Sequence, residues 1–134
     1  MRFLSLIRVN EGSGKKPDER LIADMTQLMA QMTAEGTLLD TGGLCPTAEG
    51  KRVRLSRGRQ TVSDGPFTES KEVIGGYAML RADSIEHALQ LVKRFLDVHG
   101  DDWEVECELR QVYESCPDAE LAGRSEAAVA EGAQ

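Results

Sequence analysis

The sequence predicts an α+β domain made of two β-α-β halves with a β-hairpin between them. Three observations carry this. Apolar residues recur at three- and four-residue steps in Leu21–Met32 and again in Ile85–Leu96, the period of an amphipathic helix. Each helical stretch is flanked by short β-rich runs, residues 2–9 and 37–44 around the first, 73–81 and 103–113 around the second. Between the halves, residues 51–56 and 60–63 are two short runs about Arg57-Gly58-Arg59, the pattern of a hairpin.

The chain of 134 residues is long enough for one core, and 40% hydrophobic with 29% charged residues is ordinary for a globular domain. Net charge is −7, of which residues 114–134 carry −4 through five acids and one Arg. That balance argues against a polyanionic partner such as nucleic acid. No apolar run approaches the roughly 18 to 20 residues of a membrane span, and the first eight residues read as a strand rather than a leader. Cys45, Cys107 and Cys116 are odd in number and lack close CxxC spacing. They suggest free thiols in a reducing cytoplasm and neither a disulfide framework nor a metal site.

Taken in order, residues 2–9 are apolar at nearly every position, as in a strand covered on both faces or a central one. Pro17-Asp18-Glu19 opens a helix with acids near its positive end, and Leu21, Ile22, Met25, Leu28, Met29 and Met32 form its apolar face before Gly36 stops it. The methionines read as core packing rather than a cofactor pocket. Thr37–Leu44 is the second strand. Lys51–Ser56 alternates Val53 and Leu55 against Arg52 and Arg54, a half-buried strand. Val73–Arg81 carries Gly75 and Gly76, which weaken a strand unless another backbone or a ligand approaches. Asp83-Ser84-Ile85-Glu86 reads as a capping box with Asp83 at the cap, followed by Ile85, Ala88, Leu89, Val92, Phe95 and Leu96 as the second apolar face. Trp103–Tyr113 alternates and predicts a last strand with one wet face. The domain is expected to end near residue 114, with 115–134 a flexible tail. The order β-α-β, hairpin, β-α-β is the split βαβ, ferredoxin-like plan with an inserted hairpin. Such a sheet leaves one face open.

Asp64-Gly65-Pro66-Phe67-Thr68-Glu69-Ser70-Lys71-Glu72 leads into Val73, and Asp-Gly-Pro is a strong turn signal. With Gly76-Tyr77, Gly43-Leu44, Pro46, Arg52-Val53-Arg54 and residues 108–114, this stretch resembles the YCII-related, DGPF-type family over residues 1 to about 114. The resemblance implies a dimeric α/β barrel in which two sheets meet face to face. It also makes Asp64 a pocket residue. Some relatives are thought to use a His–Asp pair, but His87 and His99, twelve residues apart, read here as surface residues away from the strand ends. Family members often carry a glutamate where this chain has Thr41-Gly42-Gly43. Relatives are frequently encoded beside extracytoplasmic-function sigma factors, which points to a regulatory pathway.

Candidate chemistry gathers at the turn. Asp64 is a candidate acid/base group, with Tyr77 able to relay a proton. Gly65, Pro66, Phe67, Glu69, Lys71 and Arg54 are candidate ligand contacts, the Lys and Arg suiting a carboxylate or phosphate. The alternative gives Asp64 to the turn backbone, Lys71 to Glu69 or Glu72, Tyr77 to the core and the Arg52/Arg54 pair to solvent. Cys45 reads as an inert thiol. No P-loop or other nucleotide or metal motif occurs, so no cofactor is expected. The expected protein is a cytoplasmic homodimer that binds or converts a small organic molecule near the Asp-Gly-Pro-Phe turn, as a cofactor-independent acid/base enzyme or a ligand sensor. Its alternative is a non-catalytic regulatory or interaction protein.

Overall fold

The computed structural model describes residues 1–67 and 73–114. Glu69, Lys71 and the proposed tail therefore lie outside the described residues. The elements are β1 (Arg2–Val9), α1 (Glu19–Glu35), β2 (Leu38–Gly43), β3 (Lys51–Ser56), β4 (Arg59–Asp64), β5 (Val73–Arg81), α2 (Ile85–Asp97) and β6 (Glu106–Gln111), with short 3-10 turns at Glu11–Ser13 and Thr47–Glu49. Strands β2-β5-β1-β6 form one antiparallel sheet, and β3-β4 form a separate two-stranded sheet. This is a mixed α+β architecture compatible with the ferredoxin-like plan, with β1 as one of the two central strands.

Both helices cover one face of the sheet. Phe3, Leu38 and Leu80 from the strands pack with Leu28 and Met32 of α1 and Ala88, Leu91 and Val92 of α2. The Asp18 side chain caps α1 by accepting from Leu21 N–H at 2.8 Å, and Gly36 ends the helix in the left-handed region at φ 79°. Ile22 differs from expectation: it is exposed, because the buried stripe follows Leu21, Leu28 and Met32.

The second helix differs in two ways. Its cap is Ser84, not Asp83: Ser84 is extended and its hydroxyl accepts from His87 N–H at 3.1 Å. His87 takes the reaching-back role expected of Glu86, with Nδ1 accepting from Asp83 N–H at 3.1 Å. The buried stripe is Ala88, Leu91 and Val92, whereas Ile85 and Leu89 are exposed. Two overlapping sets satisfy the same spacing here, and Ala88 belongs to the one that allows close approach to the sheet.

Strand β6 is shorter than the alternation suggests. Its pairing with β1 runs from Arg8↔Glu106 to Phe3↔Gln111, so Trp103 lies in the preceding loop. Strands β3 and β4 are exposed at every residue rather than half-buried. Their alternation defines two faces, but no layer of the described residues covers either. Arg57 (φ 52°) and Gly58 (φ 76°) form the tight connection, a pair of positive φ values that suits a two-residue hairpin turn. Among the described residues, no helix is long and apolar enough to cross a membrane.

Candidate functional site

Three places concentrate polar groups: the Asp-Gly-Pro-Phe turn, the open face of the sheet, and a groove beside α1.

At the turn, Asp64 ends β4 and is well exposed, its carboxylate paired with Lys51 Nζ at 2.5 Å across the base of the hairpin. Gly65 is wedged against the Thr47–Glu49 turn. A Cβ there would lie 1.6 Å from the Thr47 carbonyl oxygen, which no side chain tolerates. Gly65 N–H also donates to Gly50 carbonyl at 2.9 Å. Pro66 follows through a cis peptide, and the Phe67 ring receives the Arg52 guanidinium 4.0 Å from its centroid. The Thr47 turn is held in its turn by Glu11, whose carboxylate accepts from Thr47 N–H at 2.7 Å and from the Thr47 hydroxyl at 2.6 Å. The described part of the stretch thus braces one loop against another. Arg54 stands exposed on β3.

On the open sheet face, β1 alternates: Phe3 and Ser5 are buried towards the helices, so Leu4 and Leu6 face away, beside Met79 and Tyr77 of β5. Tyr77 is not paired with Asp64. Its hydroxyl donates to Asp40 Oδ2 at 3.1 Å, and its ring lies over Gly42, where a Cβ would come within 2.9 Å of it. Donating to the Asp40 carboxylate, beside that negative charge, holds the Tyr77 phenol above its ordinary pKa of 10. Sequence reasoning missed Asp40 for a definite reason. Strict alternation puts Asp40 on the buried face with Leu38, but a register shift between Leu38 and Asp40 moves it to the other face, opposite Met79. Arg8, Glu108 and Arg110 add an ion-paired row on this face, with Arg8–Glu108 at 3.6 Å and Arg110–Glu108 at 3.9 Å. Behind the sheet, burial pushes the Cys107 thiol up, opposed by a hydrogen bond with Ser5. Cys45 is an exposed free thiol.

The groove is the third place. The cavity between helices and sheet holds only about 20 Å³, room for about one water. In contrast, an open groove of about 1050 Å³ lies where the loop after β1, the start of α1 and the α2–β6 loop meet. Met25 and Ile22 of α1 contribute apolar walls; Lys15, Lys16, His99 and Trp103 contribute cations and rings, and Glu11, Asp102 and Glu104 line the same groove with acids. The described residues of the Asp-Gly-Pro-Phe turn are not among its walls, although Glu11, which braces the Thr47 turn, and Gly75 are.

His99 is therefore more than a solvated surface residue. It is half-buried, edge-on to Phe95 at 4.8 Å and to Trp103 at 6.0 Å between ring centroids. Its Nδ1 lies 3.0 Å from the Phe95 carbonyl oxygen. A carbonyl can only accept, so Nδ1 carries the hydrogen and Nε2 remains for a ligand or a proton. Lys15 places Nζ 5.0 Å from the Trp103 ring centroid and donates to the Asp102 carbonyl oxygen. The signal that could have found this site is a Trp and a His four residues apart around Gly100, in a loop rather than a strand. Among the described residues, no cluster of His, Cys, Asp and Glu could hold a metal ion.

Comparison with known proteins bears on the family. A curated relative, an uncharacterized protein of Rhizobium meliloti (strain 1021), is 31% identical over 85 residues, covering 63% of this chain and 68% of the relative. Among solved structures, the crystal structure of CutA from Xylella fastidiosa aligns with 91% of each chain at 12% identity and a TM-score of 0.39, too distant to add to the reading of the fold. The family model of the YCII-related domain matches residues 1–98. From that match and the Rhizobium relative, the chain belongs to the YCII-related domain family.

Proposed function

We propose that the protein binds a small organic acid in the groove between the start of α1 and the α2–β6 loop. The observation that carries this is the combination of size and lining. At about 1050 Å³ the groove is at the upper end of small-molecule sites, and it joins apolar walls to a few convergent polar groups. Trp103 and Met25 offer an apolar seat, Lys15 and Lys16 offer charge to a carboxylate, and His99 Nε2 offers a proton acceptor. Binding comes first in this reading; conversion follows only if His99 reaches the bound molecule.

The acid/base roles expected of Asp64 and Tyr77 need one ligand that reaches both. Asp64 is engaged by Lys51 and Tyr77 by Asp40, so the groove is the better place for the ligand. The braced Asp-Gly-Pro-Phe turn then supports the groove wall through Thr47 and Glu11. A second reading concerns assembly. Leu4, Leu6 and Met79 on the open sheet face favour closure by a second copy, giving a homodimer with sheets face to face.

Trp103 is the only tryptophan in the chain, so its fluorescence reports on the groove directly. Titration with a panel of aliphatic and aromatic carboxylates should give a saturable change, and Lys15→Ala with Lys16→Ala should weaken the best binder by about fivefold or more, as expected for lost charge-assisted hydrogen bonds. A flat response across the panel, with no binding by ligand-observed NMR, refutes the site.

A further inference from the structure

The groove beside α1 carries both signs of charge. Its walls include Lys15 and Lys16 but also Glu11, Asp102 and Glu104, two lysines against three acids. The Glu11 carboxylate accepts from the Thr47 N–H and hydroxyl, neutral donors that leave its charge uncancelled. Among the described residues, the side chains of Lys16, Asp102 and Glu104 meet no hydrogen-bond or ion-pair partner. A plain carboxylate would answer the lysines, bring one more negative charge to these walls and leave the acids to water.

Opposite charges also stand side by side here. Lys15 Nζ donates to the Asp102 carbonyl oxygen and lies 5.0 Å from the Trp103 ring centroid. The loop before α1 thus delivers a cation to the short stretch Asp102-Trp103-Glu104, which supplies two of the carboxylates. An ammonium has three N–H donors, so Lys15 keeps two for a ligand. The corner made by the Asp102 carbonyl and the Trp103 face already accepts one ammonium, that of Lys15 itself. Beside these charges the walls are apolar. Ile22 and Leu44, 53% and 51% exposed, both line the groove together with Met25, and a shared apolar surface of this kind is what a ligand side chain can cover.

We infer that the ligand of this groove is a zwitterion, an α-amino acid with a large apolar side chain. Its carboxylate takes Lys15 and Lys16, its ammonium takes the carboxylates of Asp102 and Glu104 beside Trp103, and its side chain lies on Ile22, Leu44 and Met25. One carbon carries both charged groups of an α-amino acid, which suits the place where Lys15 meets the Asp102–Glu104 stretch. The inference rests on the acid-binding reading of the groove and narrows its ligand class. A ligand that lacks either charge leaves one set of wall charges without a partner, so discrimination comes from both ends of the head group.

Titration of Trp103 fluorescence in the full chain with phenylalanine, 3-phenylpropionate and phenethylamine tests it, because these share one ring and differ only in their charged groups. Phenylalanine should bind more tightly than either of the others by about tenfold or more, as for a gained charge-assisted hydrogen bond. Asp102→Asn with Glu104→Gln should remove that advantage without weakening 3-phenylpropionate and with unchanged far-UV circular dichroism. If 3-phenylpropionate binds as tightly as phenylalanine, the zwitterion inference falls and the acid-binding reading stands. Binding by a plain carboxylate with none by phenylalanine or leucine has the same meaning. If phenylalanine keeps its full advantage in the double variant, these acids do not hold the ammonium and the inference falls. Phenethylamine binding as tightly as phenylalanine, or no saturable change with any amino acid or carboxylate, refutes both readings.

Discussion

A phenol that donates to a carboxylate keeps its proton more tightly than one in water. Tyr77 does so towards Asp40, and the hydrogen bond is the larger cause, with the carboxylate's charge second. In a Tyr113→Phe background, so that one phenol reports, Tyr77 should titrate above pH 10, and Asp40→Ala should bring it down. The sign for stability follows. Because the folded value lies above the unfolded one, the contribution of this pair is fully present below about pH 10 and is lost as pH rises through the folded value. An unchanged ultraviolet titration in Asp40→Ala means that the contact does not form in solution. Gly65 shows the same residue-level economy by sterics, since the Thr47 carbonyl occupies the place of its missing side chain.

At the scale of elements, α2 is set at its start by Ser84 and His87 together. Loss of one capping hydroxyl costs about 1 kcal/mol. Ser84→Ala should therefore destabilise the fold by about that amount in urea unfolding, whereas Asp83→Ala should leave it nearly unchanged; the reverse order would restore Asp83 as the cap. The helices were legible because their period and end signals are local. The strands were legible in existence but not in extent or face. β6 stops where β1 stops pairing, and β3–β4 alternates as a half-buried strand does but finds no described layer to bury against. Alternation records a chemical difference between two faces and is silent about what lies beyond each.

At the scale of the whole molecule, the core is drawn from residues 3–109. Residues 115–134 offer few large apolar side chains to it. A chain ending at Glu114 keeps the contact of that carboxylate with Arg2 N–H at 2.9 Å. It should melt within about 3 °C of the full chain, a shift that corresponds to no more than about 1 kcal/mol for a domain of this size. A larger drop by calorimetry would give the last twenty residues a structural role.

The amino-acid sequence alone determined the set of elements and their order, the start of α1 near Pro17-Asp18-Glu19 and its stop at Gly36, the hairpin turn at Arg57-Gly58, and membership suggested by the Asp-Gly-Pro-Phe stretch. All of these depend on interactions within a few residues, so they are written locally. The tertiary structure decided which polar groups meet. Asp40 reaches Tyr77 because one register shift turns it to the other face. Asp64 goes to Lys51 because the hairpin closes there. His99 and Trp103 form a groove wall with Lys15 because two loops distant in sequence fold to the same end of the sheet. Such meetings depend on register and on the packing of remote segments, and spacing along one chain carries neither.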